Sequence, residues 1–146
     1  MIVRRLPLAA AVAAGAVAAG CGSTHSDAGA TQVKRTVRTA LTDLAAGRGA
    51  QFCLLVTPSE RAHLARTFAR HSCGRAMHAL AAGLSPAHRM ALRHARVTTV
   101  TISGARATVS SDAITTTNGS LKGFLNDHGT PTTLVRQSNG RWLIAG

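Results

Sequence analysis

The hydrophobic pattern of the chain changes twice, and each stretch predicts a different structure. Residues 6–19 are apolar almost throughout, mostly Ala, Val and Leu, with Arg4 and Arg5 ahead of them. A positive segment before a short apolar core is the layout of a secretory signal. The run also holds Pro7 and Gly15 and falls short of the roughly 20 apolar residues that a membrane-spanning helix uses. Residues 22–30 are rich in Gly, Ser, Thr and Ala and read as a flexible tether.

From residue 31 the period is helical. Val33, Val37, Leu41 and Leu44 form one apolar stripe over residues 31–46, with Lys34, Arg35 and Arg38 off it, and Gly47 and Gly49 follow as a stop. Residues 50–56 form a short apolar turn or helix carrying Cys53. Thr57-Pro58-Ser59-Glu60 is a capping box with proline at the first helical position, and it predicts a helix to residue 69 that buries Leu64 and Phe68. After a break at residues 71–74 comes a helix over 75–82 with Met77, Leu80 and Ala81 inward. Ser85-Pro86 starts another to residue 94, burying Met90.

Beyond residue 95 the period becomes two. Residues 96–103 read as a strand rich in Val, Thr and Ile, and Ser103-Gly104-Ala105 turns the chain. Residues 105–117 alternate, with Ala107, Val109, Ser111 and Ala113 on one face. Asn118-Gly119 turns it again. Residues 121–129 read as a loop around Phe124 and Leu125. Residues 132–137 and 141–144 flank Asn139-Gly140, a strong hairpin signal, with Trp142 and Ile144 on one face. Helices followed by an antiparallel meander predict an α+β domain, with N-terminal helices packed on a curved antiparallel sheet.

At the end of the apolar run stand Ala18-Ala19-Gly20-Cys21. Small residues directly before a cysteine resemble the lipobox of bacterial lipoproteins. The resemblance implies that residues 1–20 are a signal peptide, cut so that Cys21 becomes the first residue and carries a diacylglycerol. The rest of the chain would then be held at the extracytoplasmic face of the cell membrane. A signal cut elsewhere and an uncleaved anchor are the alternatives. Lipidation of Cys21 leaves two cysteines, Cys53 and Cys73, and an even pair outside the cytoplasm predicts a disulfide. Two free thiols, or a metal pair with nearby histidines, are the other readings.

The residues beyond 21 suffice for one domain with one core. They carry fifteen of the 17 Lys and Arg and all five acids, for a net charge of +10. The cations are mostly arginine and are scattered, without a Lys/Arg run and with little aromatic interleaving. Solvated arginines are one reading, and attraction to acidic lipids or wall polymers is another. Export makes nucleic acid an unsuitable partner.

The layout over residues 31–146 also resembles the NTF2-like superfamily, which includes SnoaL and ketosteroid isomerase. The segments that carry the likeness are residues 37–49 (VRTALTDLAAGRG), 55–58 (LVTP), 97–112 (VTTVTISGARATVSSD) and the closing hairpin 132–146 (TTLVRQSNGRWLIAG). Residues 121–129 are polar and Gly-rich where the family carries a long strand. The resemblance implies a cone of helices and sheet around an apolar pocket, with Trp142 and Phe124 as candidate lining residues. Its ligand would be a small apolar molecule or an envelope protein.

No catalytic constellation is recognisable, and the expectation is a non-enzymatic protein without a cofactor; an envelope enzyme using the cone pocket is the alternative. The chain has no Tyr, and an NTF2-like isomerase needs a positioned base with an acid or hydrogen-bond donor. Asp43, Asp112 and Asp127 read as surface ion-pair partners, Asp112 facing solvent. His88 and His94 are six apart and His71 and His78 seven apart, neither a helical metal-ligand spacing. With His63 they read as solvated side chains. A weak metal site and a pH sensor are the alternatives.

Overall fold

A computed structural model describes residues 23–116 and 131–146. In these residues five helices precede six short strands, an α+β arrangement with antiparallel sheets, as the change of period predicts. The apolar run 1–20, Cys21, the Asn118-Gly119 turn, the 121–129 segment with Phe124, and Asp127 lie outside the described residues.

Helix α1 (Ser23–Ala45) buries its stripe: Val33, Val37, Leu41 and Leu44 are all 6% exposed or less. It ends at Gly47, whose φ of +72° is the left-handed conformation glycine adopts without a Cβ penalty. The helix starts at Ser23 and not at residue 31, so it takes in most of the stretch expected to be a flexible tether. That stretch holds no proline, and extending an existing helix adds one hydrogen bond per residue ordered.

Helix α2 (Gly49–Cys53) crosses α4 (Cys73–Ala82) at close range. A Cβ on Gly49 would overlap the carbonyl oxygen of Gly74. Cys53 and Cys73, both buried, form the expected disulfide between the two helices, with their Cα atoms 6.1 Å apart. Helix α3 (Pro58–Thr67) starts on the predicted cap, where Thr57 Oγ1 accepts the Glu60 N–H at 3.3 Å. Its Leu64, with Phe68 just beyond, packs half-buried against the core.

Helix α5 (Pro86–Arg93) also starts as predicted, with Ser85 Oγ accepting the His88 N–H at 3.1 Å. Its inward face differs from the expectation. Met90 is 45% exposed, while Ala91 and Leu92 are buried. At about 100° per residue, Met90 lies roughly 200° from Leu92, so the helix cannot bury both. Arg89 sends Nη2 to the Ala81 carbonyl at 2.8 Å, adding a charged donor to a carbonyl at the end of α4 that also accepts the Leu84 N–H at 3.2 Å.

The two strands predicted at 96–103 and 105–117 are each broken at the same level. β1 (Arg96–Val97) pairs with β4 (Ile114–Thr115), whereas β2 (Thr101–Ser103) pairs with β3 (Arg106–Val109). Between them, Thr98 N–H and Oγ1 both donate to the Ala113 carbonyl, and Ser111–Ala113 forms a 3-10 turn. The chain thereby passes from one sheet to another. Alternation fails at Ala113 and Ile114, which are both buried although adjacent. Asp112 is exposed, but on this turn and not on a strand.

β5 (Thr132–Arg136) and β6 (Trp142–Ile144) complete a four-stranded sheet ordered β2-β3-β5-β6, and the Asn139-Gly140 turn joins them. Ala107 and Leu134 are register partners and both fully buried. β6 is bridged to the segment before α3: Thr57 N–H donates to the Ile144 carbonyl and Ile144 N–H to the Leu55 carbonyl, each at 2.8 Å. One core of Val33, Met77, Leu92, Val109, Leu134 and Trp142 joins helices and sheet. Helix α1 lies in contact with β2 and β6.

Candidate functional site

The face of α1 turned away from its apolar stripe presents Thr31, Lys34, Arg35, Arg38 and Thr42. Their spacing of three and four residues stacks them along one side of the helix. Helix α5 packs on α1, and the burial of Leu92 and Ala95 draws the α5–β1 junction alongside. Arg93, His94 and Arg96, which flank those two residues, are exposed and line the same open groove. Arg48, just beyond the end of α1, completes it.

The groove measures about 820 Å³ and is lined by six cationic side chains, with no carboxylate among its lining residues. A cleft with charge of one sign on its walls focuses potential and concentrates counter-ions. A second open cleft of about 660 Å³ adjoins it. Arg48 lines both, and Arg70, Arg75 and His78 line the second.

Arg48 is held in place. Its Nε donates to Asp43 Oδ1 at 2.8 Å, its Nη2 forms an ion pair with the same oxygen at 2.7 Å, and its backbone N–H donates to the Asp43 carbonyl at 2.8 Å. Asp43 was expected at the surface, but it is only 5% exposed. It lies three residues after the buried Ala40 and about 60° from it around the helix, so it sits at a covered edge of α1. The sequence identifies it as an ion-pair former and misses that the pair sets the position of a groove cation.

The other candidates are placed as follows. Trp142 is 4% exposed and belongs to the core. It also walls a small cleft of about 290 Å³ with Gly29, Gln32, Ile102 and Arg136, and its Nε1 makes no hydrogen bond within the described residues. His63, His71, His78, His88 and His94 are all exposed. Among the described residues, no three His, Cys, Asp or Glu side chains are grouped to hold a metal ion. No helix of the described residues is long and apolar enough to cross a membrane.

Sequence reasoning treated the cations as dispersed and missed that those at 34–48 and 93–96 converge. Half of the signal was available, because Lys34, Arg35 and Arg38 share the polar side of one helix. The docking of α5 against that helix was not. Compared with models of protein families, with curated proteins and with solved structures, the chain matches none of them.

Proposed function

We propose that this chain is an exported lipoprotein, acylated at Cys21 and held on the extracytoplasmic face of the cell membrane. Its domain is a non-enzymatic module that binds acidic components of the envelope through the groove along α1. The observation that carries the reading is the convergence of six cations on one concave surface, where the one carboxylate engaged is that of Asp43, on Arg48. Ion pairing and phosphate binding both favour such a site, and guanidinium groups suit the bidentate geometry of phosphate oxygens. The buried Cys53–Cys73 disulfide supports an oxidising compartment.

A small apolar ligand or an envelope protein is the second reading. It rests on the packing of α1 over the sheet, which we read as an NTF2-like cone, and on the Trp142 cleft. At about 290 Å³ that cleft is at the lower limit of the roughly 300–1,000 Å³ typical of ligand pockets, so the basic groove is preferred.

The test is a comparison of two charge-matched variants on a phosphocellulose column, with the full-length protein in nonionic detergent. Arg38→Gln with Arg96→Gln removes one exposed cation from each wall of the groove. Arg66→Gln with Arg141→Gln removes two exposed cations that do not line it. The groove pair should elute at clearly lower salt than the control pair. Equal elution of the two variants would reduce the binding to net charge and remove the groove from the account.

A further inference from the structure

We infer that the two adjoining clefts form one track for a linear, non-nucleic phosphodiester polymer, with Arg48 as the cation common to both. The inference rests on the anion-binding reading of the groove and adds the class of ligand to it.

Four observations select this ligand. The first is continuity: Arg48 lines both clefts, so the cations of α1 and of the α5–β1 junction run on to Arg70 and Arg75. The α1 wall alone, from Thr31 to Thr42, extends about 16 Å at 1.5 Å per residue, longer than a single phosphate group needs. The second is repetition. Lys34 and Arg38 are one step of four residues apart, about 6 Å along the axis, so successive cations can meet successive phosphates of one chain.

The third is orientation. Asp43, buried, engages Nε and Nη2 of Arg48, while Nη1 makes no hydrogen bond within the described residues. The guanidinium is thus fixed at the junction and keeps donor capacity for a ligand; we treat Asp43 as a positioning residue for it. The fourth is composition. Neither cleft is lined by Phe or Trp, and the only rings they offer nucleic-acid bases are the small imidazoles of His94 and His78. A flat bilayer would reach the rim cations of a concave groove but not its walls. The larger groove offers only Ala95 and Val97 as apolar side chains in its lining.

The experiment is calorimetric titration of the full-length protein in nonionic detergent. The probes are poly(glycerol phosphate), its trimer and an oligonucleotide of equal charge. Long polymer should bind roughly 100-fold more tightly per phosphate than the trimer, because later contacts form intramolecularly. Arg70→Gln with Arg75→Gln, both exposed and lining the second cleft but not the larger groove, should weaken the long polymer by about tenfold and leave the trimer unchanged. Arg38→Gln with Arg96→Gln should weaken both.

An unchanged polymer affinity in the Arg70/Arg75 variant would overturn the continuous track. Tighter binding of the oligonucleotide would overturn the ligand class. A third arm compares flotation of the protein on phosphatidylglycerol-containing and on phosphatidylcholine vesicles, where the acyl anchor contributes equally. A preference for the anionic vesicles together with failure of the soluble polymer would overturn this inference and leave the anion-binding reading standing. Failure on polymer, anionic vesicles and phosphocellulose alike would remove that reading too.

Discussion

Asp43 and Arg48 are asymmetric partners, one buried and one half in solvent, with side-chain exposures of 7% and 51%. The pair therefore falls between a surface ion pair, worth up to about 1 kcal/mol, and a fully buried one, whose disruption costs about 3–5 kcal/mol. Arg48→Gln strands the carboxylate and should destabilise the domain by about 1–3 kcal/mol, read from the midpoint of denaturant unfolding. An unchanged midpoint would mean that Asp43 is hydrated, and that Arg48 is not held as described. A second pair of residues tests the phase of α5. Met90→Gln should stay within about 0.5 kcal/mol of the parent protein, whereas Leu92→Ala should cost about 2–5 kcal/mol. The reverse order of the two effects would restore the face read from sequence.

At the level of elements, α2 and α4 show how a short helix is kept. Five residues are too few for a helix to stand alone in water. Here the Gly49–Gly74 approach and the Cys53–Cys73 bond fasten α2 to its neighbour. The bond closes a loop with a sequence separation of 20, worth about 3 kcal/mol on the chain-entropy view. Cys53→Ser should lower thermal stability by that order under oxidising conditions, and a melting temperature equal to the parent's would contradict the clamp. The caps at Thr57 and Ser85 were readable because they are local: a hydroxyl, a proline and an amide three residues on decide them. The disulfide was readable from cysteine number once Cys21 was set aside. The split of residues 96–116 between two sheets was not, because the bend at Thr98 and Ala113 depends on a partner strand and not on either segment's own alternation. The groove was half readable for the same reason. The cations of α1 follow from helical spacing, while those of the α5–β1 junction arrive by packing.

On the scale of the whole molecule, the proposed anchor and the groove are linked by a single element. Helix α1 starts at Ser23, two residues past Cys21, and carries one wall of the groove along its length. An acyl group at Cys21 would thus stand two residues from a helix that runs on to the binding face, so the groove would be presented close to the membrane. A single acyl chain gives marginal attachment and two or more give stable attachment. Cys21→Ala should accordingly move the protein from the membrane to the soluble fraction, and unchanged fractionation would contradict acylation at that residue. The central claim, that the cations of α1 and of the α5–β1 junction act together on one acidic ligand, is tested most directly by arginine footprinting. Phenylglyoxal modification of the full-length protein would be mapped by mass spectrometry, with and without saturating poly(glycerol phosphate). The account predicts protection at Arg35, Arg38, Arg48, Arg93 and Arg96, with Arg66, Arg106 and Arg141 modified equally in both samples. Protection spread evenly over all of these arginines, or absent from the first five, would contradict it.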